Sequence, residues 1–291
     1  MKAQMQISST IILAAMAPVV WGSSYLVTTE LLPDGYPVSA AALRALPAGL
    51  ILLILVRNLP QGIWIMRTVV LGALNFSIFW WLLFVSAYEL PGGVAATVSS
   101  TQPLMVFYLA RWLLGQSSPL TAIFSSIAGL VGVGLLVLTP EAELSTIGLI
   151  AALGAAVSMA LGTVLTRKWQ PSVSALTFTA WQLTAGGLLL LPAALLFEPP
   201  LPSLTANNVI GFVYLGLFGS ALGYFFWFRC IAKYGPSVAA PLTLLSPATA
   251  VLLGWVILGQ TLSVLQSVGI VMVLSSIWIS QRAIIKVQAK K

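Results

Sequence analysis

The sequence predicts an all-α integral membrane protein with ten transmembrane helices, arranged as two inverted five-helix repeats. Three observations predict it. Only 7% of the 291 residues are charged and 59% are hydrophobic, whereas a soluble domain carries about 25% charge. Apolar runs of roughly 20 residues, the length that crosses a bilayer, recur along the chain. The second half of the chain also echoes the first at a nearly fixed offset.

The apolar runs are 8–29, 38–56, 67–87, 92–112, 119–138, 146–166, 173–196, 208–231, 236–256 and 262–281. Most connections are short, so neighbouring helices are expected to be antiparallel. Helix breakers mark many of the ends, among them Pro33, Pro91, Pro140, Pro171 and Pro236. The runs are too long and too evenly apolar for the alternating segments of a β-barrel. The first run holds Trp21 and Tyr25 and no small-residue cleavage site, so it reads as a retained span rather than a signal peptide.

Charge sets the orientation. With the N-terminus inside, the inner loops and tails hold Lys2, Arg57, Arg67, Arg111, Arg167, Lys168, Arg229, Lys233, Arg282, Lys286, Lys290 and Lys291. The outer loops hold Glu30, Asp34, Glu89, Glu141, Glu143 and Glu198, which are all the acidic residues. Basic residues concentrate on the cytoplasmic side, so both termini are expected in the cytoplasm of a bacterial inner-membrane protein. The remaining basic residue, Arg44, lies inside the second span. An intramembrane arginine needs water, a phosphate or a partner, and it serves either as a charge on the solute path or as an interfacial anchor.

The repeat has two offsets. At 144, Val94-Ala95-Ala96 falls on Val238-Ala239-Ala240, Pro103 on Pro247, and Leu114-Gly115-Gln116 on Leu258-Gly259-Gln260. At 138, the first two spans fall on the sixth and seventh, with Trp21 over Met159 and Arg44 over Gln182. The predicted units are residues 1–140 and 141–291. Five spans per unit is an odd number, so the second unit enters the membrane from the opposite side. Such inverted repeats build a midplane solute site opened alternately to each face.

Four stretches carry a family resemblance: "WGSSYLV" at Trp21–Val27, "ALRALPAGLILLIL" at Ala42–Leu55, "QPLMVFYLARWLLGQ" at Gln102–Gln116 and "SPATAVLLGWVILGQTL" at Ser246–Leu262. They resemble the drug/metabolite transporter superfamily, in its ten-helix branch of paired EamA-type domains, and are similar to bacterial aromatic amino acid exporters. The resemblance implies a central cavity lined by spans one, three, four, six, eight and nine, with spans five and ten peripheral. The family often has an acid where this chain has Gln116 and Gln260.

Polar and aromatic residues in mid-span are the candidates for solute contact, because unpaired polar groups are costly in lipid. Span one offers Trp21, Ser24 and Tyr25; the other reading of Gly22-Ser23-Ser24 is close helix packing. Span three offers Asn75, which meets solute or water or else bonds a neighbouring helix. Phe79 lies four residues on, on the same helical face, while Trp80 and Trp81 point elsewhere. Gln102, Tyr224 and Ser246 complete the set. Pro103 and Pro247 interrupt spans four and nine, as hinges or as static bends; Pro241 has no counterpart.

An aromatic cavity without buried carboxylates suits amphipathic solutes. The expected function is alternating-access export of amino acids, preferentially aromatic or apolar ones, and of related small metabolites. Two other readings stand beside it: export of organic cations or other toxic amphipathic compounds, and a channel or structural membrane protein. No enzyme is expected, nor a cofactor. With no histidine and one cysteine, Cys230, the chain has no Cys/His metal cluster. Its expected partners are a small-molecule substrate and membrane lipid, not nucleic acid, and it is expected to act as a monomer.

Overall fold

A computed structural model describes residues 2–90, 92–137 and 145–288, without the side chains of residues 2–8, 25, 87, 88, 92–94 and 288. Pro91, Pro140, Glu141, Glu143, Lys290 and Lys291 lie outside the described residues, as do the side chains of Lys2, Tyr25 and Val94.

The first half contains α1 (Lys2–Leu31), α2 (Pro37–Val56) and α3 (Ile63–Gly72), which runs through a π-helical turn (Ala73–Ser77) into α4 (Ile78–Glu89). Then come α5 (Gly92–Ser99), α6 (Gln102–Leu114) and α7 (Leu120–Val137). The second half contains α8 (Thr146–Lys168), α9 (Ala175–Phe197) and α10 (Ala206–Tyr214), joined by a π-helical stretch (Leu215–Leu222) to α11 (Gly223–Tyr234). It ends with α12 (Pro236–Ala239), a 3-10 turn (Ala240–Leu244), α13 (Leu245–Leu258) and α14 (Val264–Gln288).

Among the described residues eight helical stretches are long and apolar enough to cross a membrane, three of them joined from α3 and α4, α10 and α11, and α12 and α13, and a shorter apolar stretch covers Ser9–Ser24. Large apolar side chains such as Ile54, Leu195 and Val271 stand on the outside, as expected where the solvent is lipid. The run expected at 92–112 is not one helix. It breaks between α5 and α6 at Ser100 and Thr101, whose hydroxyls donate back to the Ala96 and Val98 carbonyls. Pro103, in the first turn of α6, has no N–H to continue the ladder.

The second proline site differs. The stretch that departs from α geometry is Ala240–Leu244, which holds Pro241, while Pro247 sits in the first turn of α13. Pro241, which the repeat leaves without a counterpart, thus lies within the irregular turn.

The packing of the two halves is consistent with an inverted repeat. α2 packs on α9, and α7 on α14. α1 meets α11 as α4 meets α8, and α1 meets α13 as α6 meets α8. Glycines set these approaches. A Cβ at Gly49 would lie 2.5 Å from the Thr184 nitrogen, and one at Gly22 would lie 2.4 Å from the Ser246 carbonyl oxygen. The repeated Leu-Gly-Gln motifs end α6 and α13 alike: Gly115 and Gly259 both have φ of 65°, and Gln116 N and Gln260 N donate to the Ala110 and Gly254 carbonyls.

Two acidic residues meet the chain at helix starts. Glu198, after α9, accepts from the Val38 and Ser39 amides at 2.6 and 2.7 Å, so its charge faces the N-terminus of α2. Glu89, closing α4, accepts from the Ser145 hydroxyl ahead of α8.

Candidate functional site: a solute cavity

A cavity of about 460 Å³ enters the bundle from the end that carries the α1–α2 connection. Its mouth includes Thr28, Thr29, Asp34 and Gly35, which are exposed. Its walls come from α1, α2, α4, α5, α6, α8, the α10–α11 rod and the stretch before and into α13. α2 is an addition to the lining that the resemblance implied, through Ala40, Ala41 and Arg44.

The deep end is aromatic. The Trp21 ring lies 4.8 Å from Tyr224 and 5.3 Å from Trp227, and Phe76 lies 4.6 Å from Tyr224 and 5.4 Å from Trp80. Edge-on and tilted contacts of this kind suit aromatic quadrupoles. Trp227, Phe228 and Phe76 are fully buried, so this cluster ends the cavity. Trp21 is held in place by its indole N–H, which donates to the Gly219 carbonyl at 2.8 Å within the π-helical stretch.

Arg44 is the cavity's cation. Its Nε donates to Ser220 Oγ at 3.2 Å, and its guanidinium lies 4.7 Å from the centroid of the Trp80 ring. Glycine at 219 leaves it room: a Cβ there would lie 2.9 Å from Nη2. Stacking and a hydroxyl acceptor offset part of the cost of a cation at this depth. Among the described residues the two outer nitrogens of the fork have no hydrogen-bond acceptor, and a guanidinium fork matches a carboxylate in bidentate geometry.

Of the residues expected from sequence, Trp21, Ser24, Phe79, Gln102, Tyr224, Ser246, Pro247 and Arg44 all line this cavity. Gln102 Nε2 has no hydrogen-bond partner among the described residues. Asn75 and Pro103 do not line the cavity. Asn75 is fully buried and bonds neighbouring helices, donating to Gln182 Oε1 at 2.8 Å and to Thr166 Oγ1 at 3.2 Å. The side chain of Tyr25 lies outside the described residues.

Trp80 is the correction in the other direction. It was expected to point away, yet it is only 4% exposed and lines the cavity beside Arg44, whereas Trp81 is 47% exposed. The π turn at Ala73–Ser77 is the reason. Its i→i+5 ladder holds an extra residue, so faces counted from Asn75 on an ideal helix are rotated by the time the chain reaches Trp80. The need of Arg44 for a partner was the one sequence signal that pointed there.

The EamA-like transporter family model matches residues 8–138 and again 146–281. Protein PecM of Dickeya dadantii is 47% identical over 270 residues, covering 92% of this chain and 91% of that protein. A probable amino-acid metabolite efflux pump of Salmonella typhimurium is 25% identical over 285 residues, covering 92% and 93%. A solved crystal structure shares the fold with a TM-score of 0.83 at 19% identity, covering 96% of this chain and 99% of that one. A family match over 8–138 and again over 146–281, together with a relative 47% identical over 92% of the chain, shows that the chain belongs to the EamA-like transporter family and is a membrane transporter rather than an enzyme.

Proposed function

We propose that this protein exports amino acids with aromatic or apolar side chains, and related small metabolites, across a bacterial inner membrane by alternating access. The observation that carries the reading is Arg44: a cation with an open fork, beside the aromatic wall of Trp21, Phe79, Trp80 and Tyr224. The guanidinium suits a carboxylate and the wall suits a ring. A volume of about 460 Å³ falls within the usual range of small-molecule pockets. The relative named as an amino-acid metabolite efflux pump supports the same solute class.

In this reading the halves, 1–140 and 141–291, are inverted five-helix repeats that give ten crossings. Both termini are cytoplasmic, as the distribution of basic residues favours. One chain surrounds the cavity, so the working unit is a monomer. Organic cations are the second reading, which the aromatic wall favours and Arg44 opposes.

Counterflow in proteoliposomes tests the choice. Vesicles loaded with phenylalanine should accumulate labelled tryptophan saturably. Phenethylamine, which has the ring but no carboxylate, should be neither carried nor competitive. Carriage of phenethylamine without flux of phenylalanine or tryptophan would reverse the assignment to organic cations.

A further inference from the structure

A second, much smaller recess of about 30 Å³ lies among the ends of α8, α9 and α11. Its wall repeats the wall of the large cavity. Thr166, Gln170, Pro171, Val173, Ala175 and Phe178, less 138, are positions 28, 32, 33, 35, 37 and 40, and each of these lines the large cavity. Phe228 less 144 is Phe84, which lines it too. The last wall residue, Ala232, maps to Tyr88, whose side chain lies outside the described residues.

Behind Thr166 lies the amide pair Asn75 and Gln182, both fully buried. After their mutual hydrogen bond, Asn75 Oδ1 and Gln182 Nε2 have no hydrogen-bond partner among the described residues. Exchanging oxygen and nitrogen in both amides leaves the same remainder, one donor and one acceptor. Open polar groups in a buried site cost free energy, and a state in which a ligand satisfies them recovers it. One open donor and one open acceptor on a bonded amide pair match, in kind, a carboxylate and an ammonium.

The mouth of the recess is clasped. Arg167, at the end of α8, donates from Nη1 to the Ala232 carbonyl of α11 and to Gln170 Oε1. Gln170 and Ala232 both belong to the recess wall. The equivalent of Arg167 at the open mouth is Thr29, whose hydroxyl, among the described residues, bonds within its own helix, to the Leu26 carbonyl.

We propose that the recess is the shut mouth of a second solute vestibule, latched by Arg167, with the Asn75–Gln182 amides as a neutral binding floor for the carboxylate and ammonium of an α-amino acid. This rests on the reading of the chain as an inverted-repeat amino-acid carrier. The solute would pass between a charged floor at Arg44 and an uncharged one at Gln182, and would be held less tightly at the latter.

Thiol labelling tests the vestibule without any solute. In a Cys230→Ser background, Thr166→Cys and Phe178→Cys place a thiol in the recess wall, and Ala40→Cys places one in the large cavity. A membrane-impermeant maleimide is applied to intact cells and to inside-out vesicles. Both recess variants should react from the α8–α9 face alone, and slowly. Adding Arg167→Ala should speed them about tenfold, the equilibrium worth of one hydrogen bond, and slow the Ala40→Cys reaction. Recess thiols that react from the α1–α2 face, or that ignore the loss of Arg167, overturn the proposal.

The floor has its own readout. Asn75→Ala and Gln182→Ala should raise the half-saturating phenylalanine concentration at the α8–α9 face and leave that at the other face unchanged. An equal rise at both faces, or none at either, overturns the floor assignment. Absence of all amino-acid flux in the unmodified protein would instead sink the solute class and leave the labelling result standing.

Discussion

Two equivalent places in the two halves have diverged in a complementary way. In one, Arg44 of α2 reaches the π-helical stretch at Gly219 and Ser220. In the other, Gln182 of α9 reaches the π turn at Asn75. Gln182 is the offset partner of Arg44, and Gly219 that of Asn75. A long side chain faces a residue with none; a shorter one faces an amide of similar size. The same backbone meeting therefore places a cation beside the open cavity in one half and a buried, neutral amide pair in the other, the pair proposed above as a shut pole. Where the backbones meet alike, side-chain length and charge set the difference: a guanidinium at one meeting and a neutral amide pair at the other.

The largest expected effect comes from making the two poles alike. Arg44→Gln gives the open pole the chemistry of the shut one. Loss of a charge-assisted contact to carboxylate is worth about 1.5–3 kcal/mol, so kcat/KM for phenylalanine should fall about a hundredfold. Arg44→Lys should recover only part of it, because an ammonium keeps the charge but not the planar fork. Unchanged flux in Arg44→Gln would mean that the carboxylate is not held at this pole.

A smaller effect separates the poles by space. Gly162 is the offset partner of Ser24, a lining residue of the open cavity. A Cβ at Gly162 would lie 2.2 Å from Asn75 Oδ1. Gly162→Ala should therefore displace the amide pair and destabilise the described state by about 1–3 kcal/mol, as overpacking does. Ser24→Ala should stay within about 0.5 kcal/mol. Thermal melting of the two variants in the same detergent compares them, and equal melting temperatures would show that the shut pole yields as readily as the open one.

Much of this contrast was legible in the sequence and part was not, for one physical reason. The Leu-Gly-Gln helix stops, the break ahead of Pro103 and the setting of Arg44 all follow from local chemistry: glycine at positive φ, proline without its N–H, a cation in an apolar run. Ser24, Phe79, Gln102 and Tyr224 reach the cavity as their helical positions suggested. Asn75 took the second of its two readings, the bond to a neighbouring helix, while Trp80 turned inward because a π turn lies between α3 and α4, and that turn carries no residue signature such as a proline or glycine pair. The offset alignment held a clue: both π segments fall at the same place in the repeat, 73–77 and 215–222.

The smallest effect concerns how Arg44 is aimed. Ser220 accepts from Nε at 3.2 Å while Trp80 supports the guanidinium plane from one side. Ser220→Ala removes the acceptor and keeps the stack and the charge. The bond has an ionised donor and such bonds are worth about 1.5–3 kcal/mol, but its loss leaves the charge and the stack in place and only loosens the aim, so kcat/KM for phenylalanine should fall only about three- to tenfold. Because Ser220 acts through Arg44, its loss should cost nothing further once Arg44 is glutamine, and the double variant should match Arg44→Gln alone. An additive loss in the double variant would place the Ser220 hydroxyl on the solute itself, and the open pole would then contain two independent contacts where the geometry draws one.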